Sequence, residues 1–488
     1  MAQESPDLTH RIEQKAAKSG GILLFRHGFA FIANFLGGIA LYRIMGPEKM
    51  GLYFTTYTYF IMGRQIVDFT VSTYLIQQPE SPDQRKLSTC FWFQSALALG
   101  LLTLAATAIF LGVPQWYVGS SAGDFTLLLL AAAVGVLGYS FQSLSVAMLE
   151  RKLVYTKVGL IEVSDPVVFN LLAVGLVYLG WGVKGLALAL VIRGIVPALL
   201  SSLLSGFFPS FQTDWKWFRL SLRKILPLVT SQLVNWITIL IPSAILVKML
   251  GSSQFAFANA AYNLLGSMGF ITGIVQRISL ASFARLQGEP ERLNRLAERM
   301  LGLLLMAYVP VYFGLGATAS LWVPRLYGKD WSPTAEVLLW GVLPNLLVGL
   351  FTIFNSSALA GGLNKLVLKQ NLLAALIFAS AMVSLAHSLG PITWPVAHLL
   401  NVPCALLYVR AHFKRFGAIH LGVVGISLVL GVGWMLGVHF SLVKGWWVPA
   451  ILLGAAFPAI WVPWMWKRNN LTSVLQKILS GKSEEAVD

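Results

Sequence analysis

The sequence predicts an all-α fold, a polytopic transmembrane helix bundle of about fourteen spans. Three observations carry it. Of 488 residues, 56% are hydrophobic and only 11% are charged. Apolar runs of roughly 20 residues, each long enough to cross a hydrocarbon core of about 30 Å, recur from end to end. The alternating strands of about 10 residues that mark an outer-membrane barrel do not occur in the pattern.

In order, the apolar runs are 21–44, 50–77, 88–112, 124–149, 156–180, 184–206, 224–249, 254–281, 300–323, 334–360, 366–389, 392–410, 418–440 and 446–466. The first run is too long for a signal-peptide core and no small-residue cleavage site follows it, so it is expected to remain a helix. With the N-terminus inside, about 25 of the 36 Lys and Arg residues fall in inner segments and about 7 in outer ones. Both termini are therefore expected in the cytoplasm. The net charge of +16 then suits anionic lipid headgroups, and no nucleic-acid partner is expected.

No connection is long enough to fold as a domain. Segments 208–223 and 285–299 read as short amphipathic helices, and Trp215, Trp217 and Phe218 with Lys216 and Arg219 would seat the first on the membrane surface. The end, 467–488, starts basic and finishes acidic, as a surface helix followed by disorder. Cys90 and Cys404 are the only cysteines, with no CxxC and no His/Cys cluster, so neither a metal nor a cofactor is expected.

An internal repeat divides the chain. Arg43-Ile44-Met45-Gly46-Pro47-Glu48-Lys49-Met50-Gly51 is echoed by Lys248-Met249-Leu250-Gly251-Ser252-Ser253-Gln254-Phe255-Ala256, and Tyr57 then falls on Tyr262. This predicts two six-helix lobes related as parallel repeats, 1–207 and 208–416, with two extra helices in 417–466 and a cytoplasmic tail over 467–488. Repeated lobes with a site between halves are a transporter feature.

Charges inside the spans are the functional signal. An ionisable side chain facing lipid costs several kcal/mol, so such groups normally face a bundle interior or a wet cavity. The first half carries Arg26, Arg64 and Arg193 against Asp68, Glu162 and Asp165; the second carries Arg277. At 1.5 Å per residue, Arg64 and Arg193 lie about 15–20 Å from the inner helix ends, and Asp68 and Asp165 about 14 Å deep. Arg64 and Asp68 stand four apart on one helical face, where they can pair. Glu162 and Asp165 share a face three apart. The guanidinium fork suits a phosphate or diphosphate. The carboxylates suit proton or sodium coupling, or serve to orient the arginines. Six mutually paired charges that merely lock the bundle are the bland alternative.

The segment Gly46-Pro47-Glu48-Lys49-Met50-Gly51-Leu52-Tyr53 resembles the LGPxxFGLY outer turn of bacterial polysaccharide flippases, with Met50 in place of phenylalanine. Asp68-Phe69-Thr70-Val71-Ser72, followed by Leu75-Ile76-Gln77-Gln78, resembles the DxGxxxxLIQ end of their second helix, with Thr70 in place of glycine. Their superfamily also holds multidrug/cation antiporters and the lipid II flippase. The resemblance implies that undecaprenyl-diphosphate-linked oligosaccharide, a repeat unit of capsular, exo- or O-antigen polysaccharide, is moved to the outer leaflet of a bacterial plasma membrane. It implies no enzyme activity, and as partners membrane lipids, a polysaccharide polymerase and the export machinery. Arginines on helices 1, 2 and 8 line the lipid II flippase cavity, and Arg26, Arg64 and Arg277 fall on those helices, with Arg193 as a fourth candidate. Spans 13 and 14 would form a groove for the lipid tail. Two readings compete: a multidrug/cation antiporter of the same fold, which would favour an acidic, aromatic cavity, and a glycan polymerase or ligase, which would need a larger outer loop.

Overall fold

The computed structural model describes residues 6–78, 80–267 and 269–469, with side chains described from residue 32 onward except at 227, 228, 231 and 270. No strand occurs among the described residues. The first helices are α1 Pro6–Asp68, α2 Val71–Gln77, α3 Gln84–Phe110, α4 Val113–Val118, α5 Ala122–Leu137 and α6 Tyr139–Arg151. They are followed by α7 Tyr155–Tyr178, α8 Gly182–Ser205, α9 Trp215–Leu250, α10 Ser252–Gly266, α11 Gly269–Arg285 and α12 Pro290–Tyr327. The last are α13 Ser332–Ala360, α14 Asn364–Leu389, α15 Thr393–Leu400, α16 Val402–Phe416, α17 Gly422–Val443 and α18 Trp447–Arg468.

Ten helical stretches are long and apolar enough to cross a membrane, and the bent pair Ser252–Gly266 with Ile271–Arg285 makes an eleventh. One of the ten, Asn364–Phe416, is a hairpin. Thr393 Oγ1 donates to the Leu385 carbonyl near its closed end, at 3.1 Å, while Tyr408 Oη donates to Gln370 Oε1, at 2.7 Å, further along. The long α1 is likewise two limbs. Gly46, at φ 71° and ψ 173°, interrupts it, and Pro47 follows. The Tyr42 and Phe54 rings meet edge to face at 5.7 Å. Twelve residues of straight helix would hold them about 18 Å apart, so the limbs fold back on each other. Only glycine takes that backbone geometry at little cost. Among the described residues, all fourteen apolar runs read from the sequence are mainly helical.

The chain forms two compact units, Met1–Ala256 and Phe257–Asp488. In the first, α7 packs along α8 and α1, and α8 crosses α5. That crossing is set by small residues. A Cβ on Gly194 would run into the Gly135 backbone, and one on Gly138 into the Gly194 carbonyl. Close backbone approach of this kind drives helix association where lipid removes the hydrophobic incentive. Gly194→Val is therefore expected to cost about 1–3 kcal/mol by overpacking. Its unfolding temperature in detergent should fall by several degrees, whereas Leu199→Val, on an exposed position of the same helix, should leave it unchanged.

The two expected surface helices are not separate elements. The Asp214 side chain accepts from the Trp217 amide at 2.9 Å and opens α9, which then runs without a break to Leu250. Phe218 is only 2% exposed and packs on Phe93 at 4.7 Å between ring centres, and Trp217 meets Tyr74. These aromatics fill the unit's own core, and Trp215 alone stays half exposed. Pro290 likewise begins α12, a single helix to Tyr327, because no breaker separates the amphipathic stretch from the span. The segment 470–488 lies outside the described residues. In the second unit, α12 packs along α13 and α17, and α17 along α18.

Candidate functional site

Three helices of the first unit bring their charges to one point. Asp165 of α7 accepts from Arg64 Nη1 of α1 at 2.6 Å, and from Arg193 Nε of α8 with its other oxygen. Arg193 is enclosed: Nη2 donates to Tyr57 Oη at 3.1 Å, and its guanidinium lies 4.7 Å from the Tyr57 ring and 4.8 Å from that of Phe169. Arg64 donates to Gln142 Oε1 at 3.1 Å and lies over Tyr139 at 4.5 Å. Cation–π contacts of this kind are worth about 2 kcal/mol when desolvated. Each guanidinium carries five N–H donors, so the cluster keeps donors to spare. Two cations share one carboxylate, so these three groups together carry +1. Arg64 is the more open of the two, its side chain 16% exposed against 7% for Arg193.

The expected pairing of Arg64 with Asp68 does not occur. The helix stops at Asp68, because Phe69 and Thr70 take φ values of 48° and 55°. Thr70 stands where the flippase pattern has glycine, and it adopts the left-handed conformation that glycine favours. The break turns the Asp68 carboxylate onto the Ser72 hydroxyl, which donates to Oδ1. Asp68 has no ion-pair partner among the described residues. A polar seam continues from it: Ser72 Oγ also reaches the Ser143 carbonyl at 3.3 Å, Ser143 Oγ donates to Gln94 Oε1 at 3.0 Å, and Gln94 Nε2 returns to the Asp68 carbonyl at 3.2 Å. Gln142 and Ser143 are neighbours on α6, so this seam adjoins the arginine cluster.

The other sequence candidates are less tightly placed. Glu162 is half-buried one turn before Asp165 on α7. Arg277 is exposed on α11 in the second unit. Arg26 falls on α1, but its side chain lies outside the described residues. Gln142, Gln94, Tyr57 and Tyr139 are residues of the cluster and its seam that the sequence reading did not assign to a site. One signal for them was the polar run Tyr139-Ser140-Phe141-Gln142-Ser143 inside an apolar span.

Apolar helices that bury a net-positive Arg–Asp–Arg cluster define a multi-pass membrane protein, and its fold is that of known transporters. The chain superposes on the lipid II flippase MurJ in an inward closed conformation with a TM-score of 0.69, at 15% identity, over 93% of this chain and 99% of that one. An inward-facing multidrug resistance MATE transporter of the MOP superfamily gives 0.63, at 15% identity, over 79% of this chain and 94% of that one. Residues 40–336 match the polysaccharide biosynthesis protein family, and the chain belongs to it. Among its relatives, the lipopolysaccharide biosynthesis protein WzxC of Escherichia coli is 23% identical over 74% of this chain and 73% of its own length. The succinoglycan biosynthesis transport protein ExoT of Rhizobium meliloti is 24% identical over 61% and 60%.

Proposed function

We propose that the protein carries an undecaprenyl-diphosphate-linked oligosaccharide from the cytoplasmic to the outer leaflet of a bacterial plasma membrane by alternating access. The observation that carries this reading is the net-positive Arg64–Asp165–Arg193 cluster buried in an apolar unit. Arg64, the open member, receives a phosphate of the diphosphate; Arg26 and Arg277 stay candidates for substrate binding from the sequence alone. Asp165 orients Arg64, and Arg193 fixes Asp165. A multidrug/cation antiporter would gain little from such a cluster, which repels organic cations.

The two-lobe division at 207/208, with 417–466 as added helices, belongs to the same proposal, as do cytoplasmic termini and pairing with a polymerase. The division rests on the sequence echo of 43–51 in 248–256.

The test is leaflet accessibility of a fluorescent undecaprenyl-diphosphate oligosaccharide in proteoliposomes. Rapid exposure by wild-type protein is expected; no exposure together with transport of cationic dyes would replace the reading with the antiporter. Asp68, a carboxylate without a cation partner among the described residues, is assigned to the coupling ion. Asp68→Asn keeps a side-chain oxygen for Ser72 but removes the titrating charge. It is expected to fold normally and to lose about 10-fold or more of the acceleration produced by a proton or sodium gradient, a loss of some 1.4 kcal/mol of coupling. Gradient acceleration equal to wild type would clear Asp68 of that role.

A further inference from the structure

A second charged recess lies far along the chain from the Arg64 cluster, among α12, α17 and α18 of the second unit. It encloses about 380 Å³. Arg295 and Arg299 of α12, Arg468 at the end of α18 and His420 just before α17 line it, with Glu298 as the only acidic lining residue among the described residues. Its deeper wall is apolar and includes Leu301, Leu305 and Val423.

The recess is built rather than incidental. Gly302 has no room for a Cβ because Asn469 is seated on it, which presses the end of α18 onto α12. Trp461 Nε1 donates to the Leu305 carbonyl at 3.4 Å from the same helix. The Arg468 guanidinium lies 5.7 Å from the Trp464 ring, which holds it at the mouth.

Its charge is unbalanced. Arg295 and Arg299 are four apart on one helix, a like-charge spacing that is unfavourable unless an anion lies between them. The one carboxylate is already occupied, since Glu298 Oε1 accepts from the His420 amide at 2.8 Å. Arg295 reaches Glu291 only at 3.9 Å, with both side chains largely exposed, a contact worth little. Three arginines therefore line the recess with a single, committed acid among its described lining residues. Below them stand apolar walls, and next to them an α17 surface that exposes Ile426, Val429 and Leu430. Arginine forks match phosphate oxygens, and basic pockets between membrane helices bind phosphate-bearing headgroups.

We propose that this recess is a binding site for the headgroup of a resident anionic phospholipid, its phosphate held by Arg295, Arg299 and Arg468 and its acyl chains laid along α17. The site is distinct from the transport cluster and fastens the last two helices to α12 through a bilayer lipid.

The test is native mass spectrometry of protein released from phosphatidylcholine nanodiscs containing phosphatidylglycerol. Wild type is expected to retain one phosphatidylglycerol at concentrations about 10-fold lower than the double variant Arg295→Gln/Arg299→Gln. Arg295→Lys/Arg299→Lys keeps the charge without the fork and should fall between them. Lys365→Gln/Lys369→Gln removes equal charge from exposed positions on α14 and should bind as wild type. Equal losses in the pocket and control variants would overturn the site as general basic attraction. Displacement of the retained lipid by undecaprenyl phosphate at equal or lower concentration would also overturn it, by assigning the recess to substrate. Each variant must elute as a single species, and the Lys pair shows whether a loss in the Gln pair comes from binding rather than misfolding.

Discussion

Asp165→Ala is expected to be the most destabilising single change in the first unit. It removes the carboxylate that two buried guanidiniums share and leaves both without an ionic partner among the described residues. Breaking a buried pair from one side costs about 3–5 kcal/mol, because the remaining charge keeps its desolvation penalty and loses its compensation. Here one deletion strands two charges, so the upper end of that range applies. The readout is the unfolding temperature of detergent-purified protein, with the monodisperse fraction after extraction. A double variant separates charge from shape. Arg193 lies between the Tyr57 and Phe169 rings, a slot that a methionine thioether fills well. Asp165→Ala/Arg193→Met should therefore recover a large part of the loss, since one stranded cation is gone and the aromatic slot stays filled. An unfolding temperature for Asp165→Ala equal to wild type would show that the cluster does not hold the bundle together.

The fold class was legible because a membrane fixes the length of apolar run that can cross it. The turn at Gly46 was legible because the link Gly46-Pro47-Glu48-Lys49 separates two apolar runs. The pairing of charges was not. Spacing along one helix joined Arg64 to Asp68, yet the partner came from residue 165, brought near by the packing of α1 and α8 on α7. The break that turned Asp68 away was hidden, because Thr70 occupies a left-handed position where glycine would have announced it. The first turns of α9 failed for a related reason. Amphipathicity marks a face that wants burial, but not whether lipid or protein buries it, and Phe218 found Phe93. Gln142 carried a readable signal in its polar neighbours, but its role as the second acceptor for Arg64 required the tertiary contact.

Arg64→Ala separates transport from stability more cleanly than any other change in the cluster. Without Arg64, Asp165 still holds Arg193 through its other oxygen, so the enclosed ion pair survives and the protein should accumulate near wild-type levels. What is lost is the open cation and its unused donors. A charge-assisted hydrogen bond to phosphate is worth roughly 1.5–3 kcal/mol, which corresponds to about a 10- to 100-fold loss in binding. Glycan-lipid exposure in proteoliposomes should fall by at least that factor, and affinity for undecaprenyl diphosphate should fall in parallel. Arg64→Lys offers a finer test. An ammonium group can keep the contact with Asp165 but cannot span Asp165, Gln142 and a phosphate at once as the planar fork does. Its activity should lie between wild type and alanine, with the larger deficit in diphosphate affinity. Full exposure by Arg64→Ala would remove the phosphate role from this residue. Loss of activity only in proportion to loss of folded protein would reduce the cluster to a structural lock. The decisive comparison is with Asp165→Asn, which spares Arg64 but removes its orienting charge. Like Asp165→Ala it destabilises the cluster, so it is read per folded protein. Lost transport with retained diphosphate binding in the monodisperse fraction would place orientation, rather than attraction, at the centre of the mechanism.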